Sequence, residues 1–447
     1  MLPGARLLDA PPEGLSVEDV VGVARDYDHV VVHTSTPSFR ADVRTAEALK
    51  ASRPDTLIGF VGGHVSARPE ESLRFTGVID YVARKEFDLA VVAVAEGRPL
   101  AEVQGISFLD GGRYVQNDEP APLVTEQLDA LPFATEVYAR DLDYKKYNSP
   151  YCQYPYVSLY TGRGCPARCT FCLWPQVTTG HSYRTRSVEN VLAECAQVKR
   201  LFPEMKELFF DDDTFTADPK RAVEIAKGLG RLGITWSTNS RANVDRETLR
   251  ALADNGLRLF VVGYESGNEE ILRNIRKGVG VERARRFTRD CHELGILIHG
   301  TFILGLPGET RSTIEETMRF ADEMQPETLQ VSLASPYPGT AMYDWVRERG
   351  FLTVDPLVDD TGYQKCTVSY PEVSADEMFR AVETFYRHYY FSRRYIWKSI
   401  KKMARDREER KRLLSEGRQF LGAMWKRRQI ASQTASAAHT DLPATGS

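Results

Sequence analysis

The sequence has no apolar run approaching the roughly 18 residues that a membrane span needs. Its opening, Met1-Leu2-Pro3-Gly4-Ala5-Arg6, lacks a basic segment followed by an apolar one, so no secretory leader is expected. Charge of either sign is close to balance: a net −4 over 447 residues gives no sign of a nucleic-acid partner. Cysteines number seven, an odd count that does not suit a disulfide framework and points to a reducing, cytoplasmic setting. What remains is an ordinary soluble composition on a chain long enough for two or three domains.

Three of the seven cysteines sit together, in Thr161-Gly162-Arg163-Gly164-Cys165-Pro166-Ala167-Arg168-Cys169-Thr170-Phe171-Cys172. Thiolates this close share a metal, form a disulfide or serve separate packing roles. A closed zinc site wants four ligands, and no Cys or His pair follows at finger-like spacing. Three thiolates suit a 4Fe–4S cluster with one iron left for a non-protein ligand. Of the scattered cysteines, Cys152, Cys195, Cys291 and Cys366, the middle two lie in helical patterns and are expected as buried thiols.

Elsewhere the chain alternates strand and helix signals. Leu7-Leu8-Asp9-Ala10 reads as a short strand, Ser16 as an N-cap with Asp19 closing a capping box, Val30 to Thr36 as a buried parallel strand and Phe39 to Ser52 as a helix. Thr56 to His64 reads as a strand whose Gly62-Gly63 pair permits close backbone approach, and His64 as a loop residue facing a ligand crevice. Val78 to Val82 is a further strand, and Gly105 to Val115 a hairpin turning at Asp110-Gly111-Gly112. The expectation for residues 1–118 is a doubly wound α/β domain, followed by a linker over 119–150. Six strand–helix units over 151–370 then predict a partial (β/α)6 barrel, with strands near 156–160, 207–213, 235–239, 257–263, 296–304 and 329–333. Residues 371–428 read as helices that turn basic and aromatic after Arg393, with Trp397 and Trp425 among them. Either a solvated face or a membrane-surface element explains that stretch. Residues 429–447 read as a disordered tail.

The C-x3-C-x2-C run, with the aromatic Phe171 before its third cysteine, resembles the signature of the radical S-adenosylmethionine (SAM) superfamily. That resemblance implies Cys165, Cys169 and Cys172 on a 4Fe–4S cluster, SAM on the open iron, and a flavodoxin- or ferredoxin-type electron donor. It further implies Phe171 near the adenine, Asp211 and Asp213 at the SAM amino group, Arg241 at its carboxylate, Glu265 at the ribose, and the turn Gly305 to Pro307 beside the adenine. Asp211-Asp212-Asp213 also admits a magnesium site or an N-cap, and Glu265 an ion pair.

An α/β module ahead of such a barrel resembles the cobalamin-binding domain of one subfamily, which makes cobalamin an expected cofactor. The D-x-H-x-x-G motif of some such domains is absent, and the chain starts after their usual first strand, which suggests a truncated start. The longer combination C-T-F-C-L-W-P-Q, G-H-x-Y-R-x-R-S, F-F-D-D-D-T-F and H-G-T-F-I-L-G-L-P-G-E-T resembles the hopanoid-biosynthesis-associated radical SAM proteins, the bacteriohopanetetrol cyclitol ether synthases. It implies ring contraction of a glucosamine-type sugar on a hopanoid. The other enzyme reading is a cobalamin-dependent methyltransferase, and a non-catalytic iron–sulfur carrier is the alternative from another class.

Overall fold

A run of three valines starts the first sheet. In the computed structural model, which describes residues 2–353, 365–405 and 422, His29–His33 forms β1. It pairs in parallel with β2 (Leu57–Val61), and β2 with β3 (Tyr81–Ala83). β4 (Ile106–Asp110) and β5 (Arg113–Gln116) make the expected hairpin and add antiparallel to β3. The order runs straight from β1 to β5, with β1 at one edge.

Ahead of β1, Leu7 to Asp9 is not a strand. Pro11 and Pro12 cannot donate to a ladder, and the chain turns into α1 (Ala10–Glu13) instead. In α2 (Val17–Ala24), Ser16 and Asp19 form the capping box, with Ser16 N–H on Asp19 Oδ2 at 2.9 Å and Asp19 N–H on Ser16 Oγ at 3.2 Å. α3 (Phe39–Ser52) buries Phe39, Val43, Ala46 and Leu49, one apolar side at helical spacing, against Ile58 and Phe60 of β2. α4 (Gly63–Ala67) and α5 (Pro69–Phe75) join that layer through Val65 and Leu73, and α6 (Asp88–Ala95) covers the opposite face over Tyr81 and Ala83. Apolar alternation on both sides of the short strands thus buries both faces under helices.

The linker holds two short helices, α7 (Thr125–Asp129) and α8 (Ala134–Asp141). β6 (Tyr156–Leu159) then opens the barrel, and β7 (Gly162–Arg163) pairs with β8 (Arg184–Thr185) as a two-stranded ribbon closing the cysteine loop. The remaining barrel strands are β9 (Glu207–Phe210), β10 (Trp236–Ser240), β11 (Leu257–Glu265), β12 (Leu297–Leu304) and β13 (Thr328–Leu333). All six are parallel in the order β13-β12-β11-β10-β9-β6, an open (β/α)6 barrel with β6 and β13 as its edges. Its outer helices are α9 (Val188–Leu201), α10 (Pro219–Leu232), α11 (Arg246–Ala253), the short α12 (Glu269–Asn274), α13 (Val281–Glu293), α14 (Arg311–Met324) and α15 (Ala341–Glu348). One row of strand side chains, including Leu159, Phe210, Trp236, Val262, Phe302 and Leu333, is buried beneath these helices. The expected thiols Cys195 and Cys291 are buried in α9 and α13.

The chain divides into two compact units, 1–379 and 380–447. α16 (Ala375–Tyr390) runs across that division, and α17 (Arg393–Arg405) belongs to the second unit. The expected tail 429–447, and the basic stretch beyond 405 apart from Gly422, lie outside the described residues.

Candidate active site

The cysteine loop leaves the carboxyl end of β6 and is held by backbone contacts from every side. Gly164 sits at φ +89°, where a Cβ would lie 2.3 Å from the Ser182 carbonyl, so only glycine fits there. Cys165 N–H donates to Gly180 O and Thr170 N–H to Ile275 O. Gln176 Nε2 donates to the carbonyls of Cys169, Thr170 and Cys172 at 2.7–3.2 Å, and His181 Nδ1 lies 2.9 Å from Ala167 O. These two side chains fall in the motif runs, yet their loop-pinning role shows only in three dimensions.

Cys165 and Cys169 are buried and Cys172 is partly so. Burial pushes all three thiols up, Cys172 to about 12. Against that, Cys165 accepts the Ala167 N–H and feels the Arg241 charge, Cys169 feels Lys277 and Arg241, and Cys172 accepts the Trp174 N–H. Buried thiols with N–H donors and cations around them fit a cluster that brings its own positive charge and whose sulfurs take hydrogen bonds. Among the described residues no three His, Cys, Asp or Glu side chains converge on a single ion. A cubane asks for no such convergence, because each thiolate binds a different iron.

Arg241, at the end of β10, donates through a terminal nitrogen to Lys277 O, while its buried Nε has no partner. An orphaned guanidinium donor beside the cysteines suits an anionic group such as the SAM carboxylate. Glu265 ends β11 at φ +66° after a bulge. Its Oε1 lies 2.7 Å from Lys277 Nζ, and both side chains are less than a tenth exposed. The structure therefore gives Glu265 the ion pair. Lys277, which pairs with Glu265 and whose charge acts on Cys169, was not foreseen from the sequence.

The three aspartates follow directly on β9 and take separate partners. Asp212 is fully buried, accepting Thr161 N–H and Oγ1–H at 2.6 Å each and Tyr183 O–H at 3.0 Å. Burial raises it to about 6. Asp213 accepts Gly164 N–H and Thr179 Oγ1–H and so anchors the cysteine loop. Asp211 is half-buried between Tyr160 O–H at 3.1 Å and Asn239 Nδ2 at 3.0 Å. None of the three caps the next helix; Asp218 caps α10.

Phe171 is half-buried. Gly305 stands at φ +93°, its carbonyl taking Tyr370 O–H and its N–H donating to Glu309, and Pro307 O accepts Asn274 Nδ2. Arg163 grips Asp88 with two nitrogens at 2.7 and 2.9 Å, and Arg184 pairs with Glu86, tying the ribbon to the segment after β3. The Gly62-Gly63 pair is explained internally. A Cβ at Gly62 would strike Thr34 O at 2.2 Å, and one at Gly63 would meet Leu173, next to Cys172, at 2.9 Å. His64 is not in a loop: it lies in α4, stacked on Phe39 with ring centroids 4.3 Å apart. A cavity of about 630 Å³ opens beside this junction, between Arg84, Ala90 and Val177, and no cysteine lines it.

The strand row opposite the helices faces the lumen. Ser158, Asn239, Thr301 and Ser332 lie on it half-exposed and Gln330 exposed, above a floor where Tyr151 packs on Phe209 and His299. His299 Nδ1 meets Thr328 Oγ1 at 2.7 Å, its Nε2 has no partner, and burial lowers the ring to about 4, so it is neutral.

Residues 159–321 match the family described as the Radical SAM superfamily. An uncharacterized methyltransferase of Pyrococcus horikoshii is 30% identical over 371 residues, which cover 79% of this chain and 79% of that protein. The chain belongs to the radical SAM superfamily. A hopanoid C-3 methylase of Methylococcus capsulatus is 28% identical over 320 residues, 69% of this radical SAM chain and 58% of the methylase. The structure of the radical SAM methyltransferase TsrM from Kitasatospora setae, with cobalamin and a [4Fe-4S] cluster bound, superposes with a TM-score of 0.65 at 18% identity, covering 86% of this chain and 83% of that one. This radical SAM protein is an enzyme whose cofactors are a 4Fe–4S cluster and SAM, and the donor set around Cys165, Cys169 and Cys172 fits them.

Proposed function

We propose that this radical SAM enzyme takes a hydrogen atom from the sugar of a hopanoid glycolipid and contracts a glucosamine-type ring to a cyclitol ether. The observation that carries the reading is the lumen beneath the cysteine loop. Hydroxyls and amides of Ser158, Asn239, Thr301, Gln330 and Ser332, with Asp211 at the rim, suit a substrate rich in hydroxyl groups. The long motif combination points the same way, and a relative named as a hopanoid methylase adds support for the lipid class.

Cys165, Cys169 and Cys172 would bind three irons. With the cluster reduced and SAM bound, cleavage of SAM supplies a 5′-deoxyadenosyl radical. Arg241 would use its unpartnered Nε on the SAM carboxylate, and Asp211 would take the SAM amino group or a substrate hydroxyl. Asp213 keeps the loop in shape. Phe171 and the Gly305 to Pro307 turn would border the adenine. Glu265, committed to Lys277, positions the loop's cation and leaves the ribose to other groups.

Cobalamin belongs to this reading because the module ahead of the barrel has the fold of cobalamin-binding neighbours. The small strand ends Ser35, Thr36 and Gly62 fit a corrin's amide-bearing rim, and His64, turned onto Phe39, would not be its axial ligand. A flavodoxin or ferredoxin would supply the electron in the cytoplasm.

Methyl transfer to an unactivated carbon is the second reading, favoured by the methyltransferase description of the 30% identical relative. Anaerobically reconstituted protein, given SAM, reductant and a glucosamine-bearing hopanoid, separates the two. Ring contraction yields 5′-deoxyadenosine and a cyclitol ether without added methyl. S-adenosylhomocysteine with a methylated lipid would overturn it.

A further inference from the structure

We propose that α17 is a docking surface for an anionic lipid bilayer, on which the helix lies flat. The helix carries Arg393, Arg394, Lys398, Lys401, Lys402 and Arg405 and no acidic residue. Next to this charge are apolar side chains left in water. Trp397 is 60% exposed, Phe391 54%, Ile400 44% and Ile396 43%. Ile396 and Ile400 are one turn apart and Trp397 borders both, so the three make one stripe.

The opposite side of the helix is already used. Tyr395 packs on Tyr389 and Tyr390, with ring centroids 5.4 and 4.8 Å away, and this aromatic cluster turns the Trp397 stripe outward. Lys401 Nζ lies 5.5 Å from the Trp397 ring centroid, which sets an ammonium at the border of the stripe. From there its stem can lie on acyl chains while the charge stays among headgroups. A helix of 13 residues is about 20 Å long, too short to cross a bilayer but of a size to rest in its interface. Among the described residues no helix is long and apolar enough to span one.

Charge decides between occupants. A second copy of α17 would bring like-charged faces together without a compensating anion. A nucleic acid would take up the cations yet leave Trp397, Ile396 and Ile400 in water. Only a surface with anionic headgroups over an apolar interior satisfies both halves of the helix. Each cation close to such a surface strengthens partitioning about fivefold, so binding should fall steeply with salt. The surface is independent of which reaction the barrel performs.

The test uses the full chain and sedimentation with vesicles of 30% phosphatidylglycerol in phosphatidylcholine, and with phosphatidylcholine alone. The expected result is partitioning to the anionic vesicles roughly tenfold or more above the neutral ones. The pair Trp397→Ser with Ile400→Ser, and the triple Arg393→Glu, Arg394→Glu, Lys401→Glu, should each weaken it at least roughly tenfold. Iron–sulfur absorbance and circular dichroism should stay unchanged in both variants. Equal binding to neutral vesicles, anionic binding that neither variant weakens, or no vesicle binding with duplex DNA binding or self-association lost in both variants would each overturn the proposal.

Discussion

At the scale of single residues, burial sets the chemistry around the cluster loop. The thiols are held protonated by their surroundings, so a loaded cluster must itself stabilise the thiolates. Cys165→Ala, Cys169→Ala and Cys172→Ala should each abolish both the visible iron–sulfur absorbance of the reconstituted protein and 5′-deoxyadenosine formation. A variant keeping both would contradict the ligand assignment. Glu309 makes a second prediction. Burial raises it to about 7, while the unfolded chain titrates it near 4.5. Below 4.5 both states are protonated and the group contributes nothing. Between 4.5 and 7 the unfolded state ionises first, so stability is lost as pH rises. Glu309→Gln should remove this slope, worth about 3 kcal/mol across the window, in denaturant titrations at several pH values. Equal slopes in both proteins would refute the buried-acid reading.

At the scale of elements, the informative unit is a loop with its pins. The motif made the three cysteines legible, but not that Gln176, His181 and Asp213 hold their backbone. Side chains that bond to carbonyls leave no spacing signal. Gly164→Ala puts a methyl into the Ser182 carbonyl at a positive φ, so it should cost about 2–4 kcal/mol and lower the iron content of the anaerobically purified protein. Full iron loading with unchanged melting would show that the loop yields. The barrel strands, by contrast, were legible to within a few residues because each combines an apolar alternation with a polar or glycine end. The reading of Leu7 to Ala10 as a strand failed because two prolines follow at once. His64 was misplaced because a glycine pair signals close approach without saying to what.

At the scale of the whole first unit, two arginines connect its halves. Arg163 and Arg184 leave the ribbon beside the cysteine loop and meet Asp88 and Glu86 of the preceding domain. They are partly buried and bidentate, a geometry worth more than a surface pair. A double-mutant cycle with Arg163→Met and Asp88→Asn should give a coupling of about 1–3 kcal/mol in thermal or denaturant unfolding. Additive effects would mean that the junction rests on packing alone.

By itself the sequence determined the α/β class, the six-strand barrel and the basic helix near the end, and it singled out three cysteines as the expected cluster ligands. Each is written in local periodicity or in cysteine spacing, which neighbouring residues carry without help from the rest of the chain. Only the tertiary structure decided the partners of charge. Glu265 pairs with Lys277, Arg241 keeps one buried donor free, and the lumen sets hydroxyls and amides above an aromatic floor. Those outcomes depend on which strands lie side by side and which row turns inward, and that is settled by packing across dozens of residues of chain.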